Sequence, residues 1–203
     1  MEHHGASPGP AGLVAFAVAC YTFFGLFIGF VPSTGLPMLS AWLMGGFVVQ
    51  IIVAKMELEH GELLGGNVFC FFQGFFMLTG AISCFFKWLC PILGVAYDVR
   101  VEGLGWGACT LALILRSPAY FKKSNGTFSL AIISTDIALV LISLKDLGFI
   151  GGAAVSKVIA FALLIAGTLG IYVASAVQLN SAFGKTVLPL LPPLIKSEAS
   201  ETA

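Results

Sequence analysis

Charge is scarce in this chain: its 203 residues hold ten Lys+Arg and ten Asp+Glu. Cations so few, balanced one for one by anions, leave no basic face of the kind that nucleic-acid binding requires. Histidine is scarcer still, with three in all. His3 and His4 lie in the N-terminal tail and His60 in a charged link, so no common scaffold holds a metal site. The five cysteines (Cys20, Cys70, Cys84, Cys90 and Cys109) fall mostly in apolar runs without a CxxC or a Cys/His cluster, and read as small core hydrophobes with free thiols. HExxH, GxSxG and a glycine-rich phosphate loop are also missing. The expectation is a protein that is not an enzyme and uses neither cofactor nor metal.

What the chain has in abundance is apolar surface. Hydrophobic residues make up 58% of it and the mean hydropathy is +0.99, well outside the range of soluble domains and appropriate to an integral membrane protein. Eighteen Phe and 24 Gly suit helices that pack closely through small residues while rings fill the grooves. No basic segment precedes the first apolar run, which is expected as a retained span and not a signal peptide.

A bilayer is crossed by about 20 apolar residues in a helix, and the chain divides into six such stretches. They are Gly12 to Phe30, Met38 to Met56, Gly65 to Phe86, Asp98 to Phe121, Thr127 to Leu144 and Ile150 to Leu179. The predicted fold is all-α: residues 1–11 form an N-terminal tail, 12–182 a six-helix transmembrane domain and 183–203 a C-terminal tail. An even number of spans places both tails on one side. With the termini inside, Lys55, Arg116, Lys122, Lys123, Lys185 and Lys196 are internal, against Lys87, Arg100 and Lys145 outside. That bias predicts cytoplasmic termini in a plasma membrane and leaves the sequon at Asn125-Gly126-Thr127 in the cytoplasm.

Polar groups inside such spans are costly and mark either interhelical bonds or a conducting path. Gln50, Asn67 and Gln73 fit both descriptions. Asp136 and Lys157 lie about 12 and 10 Å from the ends of their spans at 1.5 Å per residue, nearly level across one hairpin. As a pair they would couple protonation to transport or serve as a fixed structural link; alternatively Lys157 snorkels to the interface.

At the start of the first span, SPGPAGLVAF (Ser7 to Phe16) combines a capping hydroxyl, a proline suited to a first turn and an apolar run. Such a helix start carries partial positive charge and is a candidate anion site. This stretch resembles the Asn-Pro-Ala-Pro-Leu-Gly-Leu signature of the acetate uptake transporters, the succinate–acetate permease or GPR/FUN/YaaH family. The run GGFVVQIIVAKMELEHGELLGGNVF is similar to that family's second span and its link to the third, and LNSAFGKTVLP near the C-terminus carries the most specific match. The resemblance implies six-helix protomers in a homo-hexamer, each with its own pore for acetate and related small carboxylates, moved by proton symport or through a passive or pH-gated anion channel. It also implies an aromatic–aromatic–leucine constriction, onto which Phe16, Phe72 and Ser134 map. Ser7, Gln50, Asn67 and Gln73 are the corresponding polar candidates along the substrate path. The sequence departs from the signature at Ser7, Gly9 and Ala11, and at Phe72, where relatives typically carry Tyr. From the polar spans alone, a non-transporting membrane scaffold is the reading from a different class.

Overall fold

The computed structural model describes residues 6–196, and every regular element in that range is helical. The first rod is α1 (Gly9–Phe27); a 3₁₀ turn at Ser33–Gly35 then leads into α2 (Leu36–Glu59). The third rod is continuous but has three parts: α3 (Leu63–Phe71), a π-helical stretch (Phe72–Thr79) and α4 (Gly80–Leu93). It is followed by α5 (Arg100–Lys123), α6 (Gly126–Asp146) and α7 (Ala153–Phe183).

Six rods therefore stand where six spans are expected, with boundaries shifted by one to four residues everywhere except at the end of the third. The third rod runs past Phe86 through Lys87 and Pro91, stopping only where Gly94 takes φ +68°. A proline one turn from a helix end removes a single hydrogen bond, and the left-handed glycine provides the stop. Helix α5 runs through Arg116 and Pro118 to Lys123 and stops at Ser124, whose backbone is extended. Five rods are long and apolar enough to cross a membrane. The sixth, α5, carries Arg100, Glu102, Arg116, Lys122 and Lys123.

Successive rods are neighbours, and α1 returns to pack along α7, so the six close into a ring. Small residues allow the closest approaches. A Cβ on Gly12 would lie 2.5 Å from the Phe69 ring, and one on Gly167 would lie 2.8 Å from the Cys20 Cβ. Outward-facing side chains are apolar: Val48, Ile52, Leu111, Leu115, Phe161 and Ile165 are each at least half exposed. A surface of that kind belongs against lipid or another protein.

Loops at the two ends differ. At the end without termini, Arg100 donates to Asp98 and the hydrogen-bonded guanidinium holds that exposed carboxyl down at about 2. At the other end the chain after Gly184 is ordered as a strap. The Asn180 side chain accepts from the Val187 and Leu188 amides, Gly126 N donates to Leu191 O at 2.8 Å, and Ile195 N donates to Phe121 O at 3.0 Å. The prolines that forbid another helix thus lay this segment across the α5–α6 turn.

Candidate functional site

Helical spacing builds the centre of the ring. Phe16 and Phe23, seven residues apart on α1, share a face directed inward, and Phe72 and Phe76 do the same from the π-helical stretch. Phe16 meets Phe72 edge-on with ring centroids 5.9 Å apart; Phe76 lies 5.5 Å from Phe72, 5.6 Å from Phe23 and 5.7 Å from Trp106. The result is a column of rings along the axis of the six rods, with Phe76 touching most of its members. The π-helical turn contributes to this geometry because each of its turns holds more residues than an α-turn, which re-aims the side chains on either side of it.

Beside Phe16 and Phe72 is a small cavity of about 30 Å³ whose wall includes Leu13, Gln50, Phe69 and Thr135. That volume admits about one water. Gln50 is fully buried; its Nε2 donates to Gly12 O at 3.3 Å, while its Oε1 has no partner among the described residues. The Gln50 amide thus sets a free acceptor among aromatic rings.

At the end carrying the termini, the start of α1 is occupied by the chain's own carboxylate. Ser7 Oγ accepts from Gly9 N and donates to Glu57 Oε1, each at 3.3 Å. Glu57 is buried, with Gly9 and Gly65 leaving room on either side: a Cβ on either would stand 3.2 and 2.9 Å from its two oxygens. The helix itself begins at Gly9 with Pro8 flanking it, so Ser7 lies one residue outside the expected cap position. The anion attracted by this helix start is Glu57.

At the opposite end, a vestibule of about 280 Å³ opens above the column, with Phe23, Phe76 and Trp106 among its walls. Lys87 and Glu102 form an ion pair there at 2.5 Å, and Ser83 donates to the other Glu102 oxygen. Lys145 and Asp146 also line it, with the Lys145 ammonium 5.5 Å from the Phe27 ring centre.

The residues singled out from the sequence are thus distributed unevenly. Phe16, Phe72 and Gln50 come together on the axis. Ser134 does not join them: it bonds back to Leu130 O and lines an outer groove with Lys157 and Phe161. Its helical phase is roughly 110° from the α6 face that Ala131, Ile132 and Thr135 present to the cavity. Thr135 holds the inward position instead. Asn67 is exposed and donates to Leu63 O on its own helix, and Gln73 keeps a buried Oε1 without a partner inside the π-helical stretch. The Asp136–Lys157 pair is not among the ion pairs of the described residues. Asp136 faces α5, where Ser117 Oγ lies 2.7 Å from its Oδ2, while Lys157 is exposed on α7. The two side chains leave their helices in different directions, Asp136 toward α5 and Lys157 to the outer surface. His3 and His4 lie outside the described residues.

Phe76, Trp106, Glu57 and the Lys87–Glu102 pair were not nominated by sequence. The i, i+4 spacing of Phe72 and Phe76 was the available signal for the first; the others meet residues far away in the chain.

No protein-family model matches the chain. The succinate–acetate/proton symporter SatP of Escherichia coli (strain K12) is 28% identical over 191 residues, covering 91% of this chain and 95% of that protein. The SatP proteins of Escherichia coli O157:H7 and Shigella flexneri match with the same figures. Among solved structures, that of the bacterial acetate channel SatP superposes with a TM-score of 0.79 at 24% identity, over 92% of this chain and 99% of that one. The likeness read from three stretches of sequence therefore extends along nearly the whole chain.

Proposed function

We propose that this SatP homologue carries acetate and related small carboxylates across a membrane, through an axis inside each protomer and with proton symport. The observation that carries the reading is the ring column of Phe16, Phe72 and Phe76, with the free Gln50 Oε1 at its edge and the polar vestibule of Lys87, Glu102, Lys145 and Asp146 at one end. A carboxylate with a reference pKa of about 4 is ionised at neutral pH, and stripping its water without replacement is prohibitive. Rings that narrow and dry the path exclude hydrated ions, while an isolated amide replaces part of the lost hydration. In this reading Phe16 and Phe72 form the constriction, Thr135 takes the third place expected for Ser134, and Gln50 is the polar contact. Ser7 holds the α1 start in place through Glu57.

A passive acetate channel is the second reading, favoured by the likeness to the bacterial acetate channel SatP. Purified protein in sealed vesicles separates the two. Acetate accumulation driven by an imposed proton gradient supports symport; flux that is only downhill supports the channel; no carboxylate flux at all overturns both. The apolar outer surface supports assembly into a homo-hexamer, checked by the mass of the detergent-solubilised complex. The cation bias between loops supports cytoplasmic termini in a plasma membrane. Asn125 caps α6 by accepting from Phe128 N at 2.9 Å. In a eukaryotic secretory membrane it stays unmodified, and a glycan on Asn125 would reverse the topology.

A further inference from the structure

The vestibule holds its ion pair in an unusual place for a structural one. Lys87 lies near the end of the third rod and Glu102 in the first turn of α5, with side chains 27% and 26% exposed, so the pair is neither freely solvated nor sealed in a core. It lines a cavity large enough for a small organic anion, and the cavity is walled by Phe23, Phe76 and Trp106, the near end of the ring column. An ion passing between this mouth and the rings travels beside Lys87.

An ammonium has three donors, and Lys87 gives Glu102 one of its hydrogen bonds. The other Glu102 oxygen is taken by Ser83, so this carboxylate is held in place by two donors. Charges facing the cavity are Lys87 and Lys145 against Glu102 and Asp146, a zero sum. An arriving carboxylate presents the same functional group as Glu102 to the same cation. It therefore competes with a tethered equivalent of itself, and the affinity of the vestibule is set by how firmly Lys87 is already occupied.

We propose that the vestibule is a carboxylate-binding site in which Lys87 receives the substrate anion and Glu102 is a built-in competitor that keeps the site weak enough to release it. Binding that is favourable enough to admit an ion yet weak enough to let it leave is what conduction requires. The inference rests on the carboxylate-transport reading above and adds a residue-level basis for affinity. Its signature is a pair of opposite effects. A purely structural link between the third rod and α5 is damaged alike by losing either partner, whereas a competitor and a receptor shift affinity in opposite directions.

The test is initial acetate flux into proteoliposomes for the wild type, Lys87→Met, Lys87→Arg and Glu102→Gln. Equilibrium binding of radiolabelled acetate to the same purified proteins is measured alongside. Glu102→Gln keeps a hydrogen-bonding group beside Ser83 and lowers the acetate KM by roughly tenfold, about what removing one nearby competing charge gives. The same variant reduces the maximal rate, because release slows. Lys87→Met raises KM and abolishes measurable acetate binding, and Lys87→Arg restores it. Lys87→Met that fails to elute as the native assembly is replaced by Lys87→Gln. Increases of KM in both Glu102→Gln and Lys87→Met, or unchanged KM in both while the wild type transports, overturn the vestibule site and leave transport standing. Absence of flux in the wild type overturns the transport reading itself, and the binding measurement then decides the vestibule site separately.

Discussion

Gly12→Ala tests the packing that holds the ring column. An alanine Cβ at this position stands 2.5, 2.7 and 3.0 Å from three carbons of the Phe69 ring, where carbon–carbon contacts settle at about 3.5–4.0 Å. The ring must retreat by about 1 Å. Phe69 is buried and lines the 30 Å³ cavity beside Phe16 and Phe72, so the space it retreats into is the space proposed for passage. Overpacking of this size costs about 1–3 kcal/mol. Alanine recovers about 1 kcal/mol over glycine in a helix, leaving a net loss of about 0–2 kcal/mol. If the permeation barrier rises by about 1–2 kcal/mol, acetate flux falls about 5- to 30-fold. Flux into proteoliposomes and thermal unfolding in detergent read the two quantities, and Phe69→Leu in the Gly12→Ala background restores flux by removing ring atoms. Unchanged flux in Gly12→Ala, or a double variant no better than the single, refutes the placement of Phe69 beside the path.

Gln50→Leu removes both a donor to Gly12 O and the buried acceptor without a partner. Stability changes by less than about 1 kcal/mol because an unsatisfied group is lost with the bond. Acetate flux falls severalfold, and wild-type flux would exclude Gln50 from the path. Phe16→Ala separates contacts with Phe72 and Phe76. It lowers stability by up to about 3 kcal/mol, the low end for a core Phe, since Phe16 is half-buried. Larger carboxylates excluded by the wild type then pass, and retained exclusion would move the constriction elsewhere. Asp136→Asn and Lys157→Gln combine additively within about 0.5 kcal/mol in thermal unfolding, as expected of residues that share no bond. A coupling energy above about 1 kcal/mol would restore the pair.

How much of this was legible beforehand depended on whether a feature was local. The six rods follow from runs of apolar residues, and Phe16, Phe72 and Gln50 lie in stretches whose pattern is recognisable. Ser134 and Asp136 show the limit of counting along a helix. Depth is fixed by the number of residues, but direction is fixed by phase, and an alignment uncertain by one position turns a side chain by 100°. Thr135, the neighbour of both, therefore took the place assigned to Ser134. Glu57 and Lys87 each follow directly on an expected span, Met38–Met56 and Gly65–Phe86, where a charge ordinarily meets water. Burial of Glu57 against Ser7 and Gly9, and pairing of Lys87 with Glu102, depend on distant segments meeting it. Nothing in the local pattern signals that.

The scarcity of apolar character in α5 has a consequence for how the protein is made. An Asp midway along a helix adds about 2.5–3.5 kcal/mol to its insertion in isolation, and Asp136 holds that place in α6, while α5 carries Arg116 nearer its end. The polar seam between them, Ser117 beside Asp136 and Thr110 beside Ser143, is available only when the two helices lie together. The seam thus forms only once α5 and α6 are side by side, which makes the two helices a hairpin expected to enter the membrane together. Substitutions along that seam reduce the amount of protein delivered to the membrane before they alter what the delivered protein does.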